Sequence, residues 1–195
     1  MLSMRAGTPH FRPNVISRTT SIGIDQAYRT LCNAALFLGA APTSPGADPA
    51  RVRYPAKVLG NGLRELDRFL SVLLDEVAAG TGWSMEDLAP LARIRNTPNK
   101  LAAVSLRMDL QDQHDARLRA LGRCRDTLFH CGGVVRRGDR RHARTLTLGW
   151  PGDMPDGGAR VLQIGEHLSL GPADLAWICA FYVRIGDSLL ERAAR

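Results

Sequence analysis

The strongest constraint in this chain is a run of six apolar residues, Leu59, Leu63, Leu66, Leu70, Leu73 and Val77, spaced 4, 3, 4, 3 and 4. Residues so spaced fall on one stripe of an α-helix, whereas a strand, whose faces alternate at every residue, scatters them over both sides. The stripe predicts a helix from about Pro55 to Ala79, ended by Gly80, Thr81 and Gly82. One helix cannot bury such a seam, so the chain needs helical neighbours to cover it.

The neighbours are legible by the same period. Ile24, Ala27, Tyr28, Leu31, Ala35 and Leu38 predict a helix over Ser21 to Ala40, and Pro42, Pro45, Gly46 and Pro49 a linker after it. Ser84 with Asp87 three residues on reads as a capping box for a short helix to about Arg95. Thr97 and Pro98 read as the N-cap and first position of another, towards Leu110. Leu118, Leu121, Cys124, Leu128 and Cys131 form the buried stripe of a helix over Gln113 to Cys131, closed by Gly132 and Gly133. Leu175, Ile178, Tyr182, Ile185 and Leu189 define a last helix opened by Gly171-Pro172.

Between the last two helices the pattern changes. Thr145 to Trp150 alternates at period two, Pro151 to Gly158 is turn-rich, and Val161 to Ile164 offers a return strand. The predicted fold is mainly α: an antiparallel helical bundle with a β-hairpin inserted before its last helix. The expected organisation is a mobile N-terminal arm over residues 1–20 and one domain over 21–195, with the insertion at about 134–168. A chain of 195 residues is long enough for one such domain with a sizeable core.

Charge narrows the function. Lys57 and Lys100 are the only lysines among 26 basic residues, and the net charge is +7. Nine arginines (117, 119, 123, 125, 136, 137, 140, 141 and 144) and three acids (Asp115, Asp126 and Asp139) lie between residues 114 and 144, so a local excess of six accounts for nearly all of it. Concentrated positive charge favours a polyanionic partner such as nucleic acid. Cys32, Cys124, Cys131 and Cys179 are scattered, without metal-ligand spacing, and read as reduced residues of a cytoplasmic protein. No segment reads as a membrane span, no phosphate-cradling glycine loop or Ser-His-Asp pattern occurs, and neither a cofactor nor a metal is expected.

One motif carries chemistry. Arg125-Asp126-Thr127-Leu128-Phe129-His130 places a histidine five residues after an arginine, with a polar residue directly after the arginine. It resembles the Arg-x4-His signature of the HEPN superfamily. The surroundings are similar too, with helices before it, glycine just after it and a closing helix, over roughly residues 55 to 195. The resemblance implies a metal-independent endoribonuclease acting as a homodimer, in the manner of toxins or defence proteins, with an antitoxin as a further partner. A ribose 2′-hydroxyl would attack the adjacent phosphate, giving a 2′,3′-cyclic phosphate and a 5′-hydroxyl. The implied catalytic residues are His130, whose imidazole suits proton transfer, and Arg125, whose guanidinium suits phosphate.

Helix geometry adds to this. Asp126 and His130 stand one turn apart, so the carboxylate is expected to orient the imidazole and favour its charged form. Arg119, Arg123, Asp126 and His130 form a stripe opposite the apolar one, while Arg125 lies about 140° around the helix from His130. One copy cannot easily aim both groups at one phosphate; two copies, or a helix broken near the motif, can. Arg119, Arg123, Arg136, Arg137, Arg140, Arg141 and Arg144 are the expected RNA-binding residues. The alternative is an HEPN-like module that binds RNA or a partner without cutting, or, for Arg125, an ordinary ion pair with an acid from another helix. Arg-Gly-Asp at 137–139 is read as chance. Trp83, Trp150, Trp177 and Tyr182 are read as packing residues, His114 as a helix-start residue, and His10, His142 and His167 as surface. Gly60 and Gly62 are read as close-packing positions in the seam.

Overall fold

The computed structural model of the protein describes residues 15–40, 55–110, 114–151 and 159–195. Six helices and two strands occur among them: α1 (Val15–Gly39), α2 (Ala56–Gly80), α3 (Met85–Arg93), α4 (Thr97–Met108), α5 (Asp115–Cys131), β1 (Thr145–Pro151), β2 (Ala159–Gln163) and α6 (Pro172–Ala193). The fold is the mainly helical one expected, with its small antiparallel sheet before the last helix. The proline linker, most of the turn after Pro151 and residues 1–14 lie outside the described residues. The first helix starts at Val15 rather than Ser21, so the last six residues of the expected arm are helical.

The seam explains why α2 is central. Leu59, Leu63, Leu66, Leu70, Leu73 and Val77 are all buried, and α2 touches each of the other five helices. Each fully buried leucine contributes about 2 kcal/mol of transfer free energy, so this helix organises the core. Gly60 and Gly62 have the packing role expected of them. A Cβ on Gly60 would lie 2.8 Å from the Phe129 backbone nitrogen, and one on Gly62 would meet the Leu38 side chain. The glycines therefore let α5 and α1 approach α2 closely.

Local signals set most boundaries. The Ser84 side chain accepts from the Asp87 backbone N–H, as the capping box requires. At α4 the cap is Asn96, not Thr97: Asn96 accepts from the Asn99 N–H at 3.2 Å. Thr97 is buried, and its hydroxyl donates to the Asp67 carboxylate at 3.0 Å instead. α5 is a continuous helix closed by Gly132 in the left-handed conformation, with φ of 60°.

The insertion is stitched back onto the bundle. After the α5 cap, Val135 N–H donates to Glu166 O at 2.9 Å and Leu168 N–H to Gly133 O at 2.7 Å. β1 pairs antiparallel with β2, Leu146 opposite Leu162. Leu146, Leu148 and Trp150 are buried against the helices, and β1 rests on α5 and α6. Gly149 permits this contact, since a Cβ there would lie 2.7 Å from the Leu121 nitrogen.

Candidate nucleic-acid interface

α5 presents two faces. Leu118, Leu121, Cys124 and Leu128 enter the core as expected, and Cys131 is half-buried. Burial pushes the Cys124 thiol up to about 12 and the Cys179 thiol to about 11, so both stay protonated and inert. His130, in the last turn, is exposed, with its ring nearly perpendicular to that of Phe129 and 4.9 Å away between centroids.

Arg125 takes a different course from its motif partner. Its Nη1 donates to Asp67 Oδ2 of α2 at 3.2 Å, and its Nε and Nη2 reach Asp126 Oδ1 at 3.0 and 2.9 Å. Asp67 also accepts from Thr97 and, at 3.5 Å, from the buried Tyr182 hydroxyl. Burial raises the Asp67 carboxyl above its ordinary value, opposed by Arg125, Thr97 and Tyr182. Burial and the neighbouring Asp67 carboxylate likewise raise the Tyr182 phenol, which stays protonated and able to donate. Arg125 thus belongs to a polar junction tying α5 to α2, α4 and α6.

Two expectations change as a result. The Asp126 carboxylate holds Arg125, and among the described residues it makes no hydrogen bond to His130. The reason is geometric: a guanidinium directly adjacent in the chain reaches the carboxylate on two nitrogens, whereas the imidazole lies a full turn away. Arg125 and His130 also point apart on an unbroken helix, which removes the broken-helix route to a composite site.

The other arginines divide into two groups. Arg119 donates to Asn99 Oδ1 at 2.8 Å and lies 3.8 Å from Asp115. Arg123 Nε donates to Asp139 Oδ1 at 2.8 Å. All three acids of the 114–144 segment are therefore committed to arginines of α5. In contrast, Arg136, Arg137, Arg140, Arg141 and Arg144 form no ion pair with a described residue, and all five are exposed. The unneutralised charge is in the loop after α5, not along the helix stripe.

That loop has a fixed base. Asp139 Oδ1 accepts from Arg123 and from the Thr147 N–H at 3.1 Å, while Oδ2 accepts from the Thr147 hydroxyl at 2.5 Å. Burial alone would raise the Asp139 carboxyl, but the Thr147 hydrogen bonds and Arg123 hold it below the ordinary range. Asp139 N–H donates to Thr145 O at 2.9 Å and Ala143 N–H to Arg140 O at 3.0 Å. A Cβ on Gly138 would lie 2.7 Å from Thr145 O, so only glycine fits there. Gly138-Asp139 is thus the anchor of a loop that displays Arg140, Arg141 and Arg144, and its occurrence in Arg-Gly-Asp has this structural reason.

The aromatic residues follow expectation in part. Trp150 and Tyr182 are buried. Trp83 and Trp177 are half-buried, with guanidiniums over them: Arg107 at 5.0 Å from Trp83, Arg117 and Arg184 at 4.9 and 5.5 Å from Trp177. A cleft of about 500 Å³ beside β1 is lined by His114, Arg117 and Trp150 among others. No group of three or more His, Cys, Asp or Glu converges as a metal site among the described residues. No helix among them is long and apolar enough to cross a membrane.

Four important residues were outside the motif. Asp67 interrupts the apolar edge of the α2 seam, next to Leu66, and an acid at such a position signals a buried partner. Asp139 is the only acid in an otherwise cationic stretch. Lys57 and Arg64, 5.6 and 5.4 Å from the centroid of the Phe129 ring, escape sequence reading because they reach α5 only through the packing of α2 on it.

The fold and this surface define a class: a helical-bundle protein with a hairpin insertion and a cationic surface around the end of one helix. Comparison with protein-family models, with curated proteins and with solved structures finds no match to this chain.

Proposed function

We propose that the protein is an RNA-binding endoribonuclease of the HEPN kind, with His130 as its proton-transfer group and the Arg136–Arg144 loop as its main electrostatic contact. The observation that carries the reading is the placement of an exposed imidazole at the end of α5, directly before five exposed arginines that no described acid neutralises. Such a surface attracts a phosphate backbone.

The chemistry needs no group that the chain lacks. Neutral His130 takes the proton of a ribose 2′-hydroxyl, the 2′-oxygen bonds to phosphorus, and the bond from phosphorus to the 5′-oxygen breaks. In a homodimer the imidazolium of the second copy supplies the proton that the leaving 5′-oxygen needs. The products are a 2′,3′-cyclic phosphate and a 5′-hydroxyl. Arg125, held by two carboxylates, contributes to this site by positioning α5 rather than by holding phosphate. Toxin or defence activity with a restraining antitoxin partner is part of the same proposal; a neighbouring gene for a small antitoxin or a nucleotidyltransferase would support it.

The test is incubation of purified protein with RNA in chelator. Cleavage that persists in Arg95→Ala, an exposed change far along the chain from the motif, and is lost in His130→Ala supports the reading. Equal activity in both variants refutes it. A second reading, RNA binding without cleavage, is favoured by one observation: Arg125 and Asp126 are committed to each other and to Asp67. It predicts salt-sensitive RNA binding with no cleavage under any condition.

A further inference from the structure

If Arg125 is occupied by Asp67 and Asp126, another cation must hold the phosphate that His130 acts on. α2 supplies two. Lys57, Gly60 and Arg64 are spaced 3 and 4 and form one stripe of that helix. Because Gly60 has no side chain, α2 lies directly against the Phe129 backbone. The residues on either side of Gly60 therefore close over the Phe129 ring: Lys57 Nζ lies 5.6 Å from its centroid and the Arg64 guanidinium 5.4 Å. The His130 imidazole stands nearly perpendicular to the same ring, with centroids 4.9 Å apart.

Lys57 and Arg64 are exposed, and neither makes an ion pair with a described residue. The acid nearest in sequence on their helix, Glu65, faces Arg68 at 3.3 Å. Two cations and an imidazole thus gather around one half-buried aromatic ring, and none of the three pairs with a described carboxylate. Like charges so gathered repel, and an anion between them removes the repulsion. Phe129 holds the cations in place through its ring face, at little cost to their N–H donors, which remain free for oxygen ligands.

We infer that Lys57 and Arg64 form the phosphate-binding half of the His130 site, gripping the non-bridging oxygens of the phosphate beside the imidazole, with Phe129 as their support. This rests on the RNA reading above and changes the identity of the phosphate-holding residues from Arg125 to Lys57 and Arg64.

Two probes separate the inference from the reading it rests on. The first is inorganic phosphate, titrated against the full chain while the His130 and Phe129 ring signals are followed by NMR. Both signals are expected to shift in the parent protein and to stop responding in Lys57→Ala/Arg64→Ala, with the fold unchanged by circular dichroism. The second is single-stranded RNA, whose dissociation constant should rise about tenfold for each single change, the loss of one charge-assisted contact. If the parent binds RNA but the double variant binds both RNA and phosphate as well as the parent, the inference fails and the RNA reading survives. If phosphate moves the ring signals but RNA does not bind, the anion site stands and the RNA reading falls. If neither probe produces a response in the parent, both fail.

Discussion

Replacing Arg125 with alanine distinguishes a structural from a catalytic arginine. The substitution leaves the Asp67 carboxylate facing Thr97 and Tyr182 without its guanidinium. Removing one member of a buried pair costs about 3–5 kcal/mol. Because the side chains of Arg125 and Asp67 retain 25% and 18% of their exposure, the lower end applies, about 3 kcal/mol. In a chain of this length each kcal/mol lowers Tm by about 2–4 °C, so the variant should melt about 6–12 °C below the parent.

pH supplies a second signature. Without Arg125, burial raises the Asp67 carboxyl further above its ordinary value of 3.8. A group with a raised folded pKa binds its proton more readily when folded, so stability falls as pH rises through that range and returns as pH falls. The deficit of Arg125→Ala should therefore narrow as pH falls from neutrality towards the raised carboxyl value. Asp67→Asn combined with Arg125→Gln removes both charges and should cost less than the sum of the single changes, with a coupling of about 1–2 kcal/mol. Thermal melts at several pH values of the five proteins, the parent, Arg125→Ala, Asp67→Asn, Arg125→Gln and the double variant, measure all of this. An Arg125→Ala variant within about 1 °C of the parent, or a deficit that is flat with pH, would refute the junction as described.

Other outcomes follow from the same geometry. Asp139→Asn should cost about 1–2 kcal/mol by weakening the Arg123 and Thr147 contacts; since the Asp139 carboxyl is held low when folded, that advantage exists above the ordinary carboxylate range and disappears as pH falls through the folded value, so parent and variant should converge in acid melts. Gly60→Ala should destabilise by about 2 kcal/mol, as its Cβ meets Phe129 backbone rather than a movable side chain, whereas Gly62→Ala should cost less because Leu38 can yield; denaturant midpoints decide. Leu70→Ala, at a fully buried seam position, should cost about 3 kcal/mol by the same measurement.

Four helices, α1, α2, α5 and α6, were legible because each repeats its apolar residues at the helical period over three turns or more, the shorter α3 and α4 because of their capping residues, and the hairpin because alternation and turn residues coincide. What local pattern could not show was the choice of partner. Thr97 has the chemistry of a cap, but Asp67, thirty residues earlier, takes its hydroxyl and leaves Asn96 to cap the helix. Asp126 has the spacing to serve His130, but an adjacent arginine competes for it. Arg119 and Arg123 share the stripe of His130, yet Asn99 and Asp139 hold them. Lys57 and Arg64 come to the motif only through tertiary packing, which a periodicity along one helix does not encode. The motif itself was visible as six residues; its division into an exposed histidine and a half-buried arginine depended on which helices flank α5.

The salt dependence of RNA binding by His130→Ala, a variant expected to bind without cutting, tests the cationic surface most directly. Five loop arginines engaging five phosphates of a single strand contribute about −3.5 to the slope of log K against log salt, to which the phosphate beside the imidazole position adds. Arg140→Ser/Arg141→Ser should flatten it by about 1.4 while leaving the melting temperature unchanged. Absence of binding at low salt, or a slope the same in both proteins, would contradict the account.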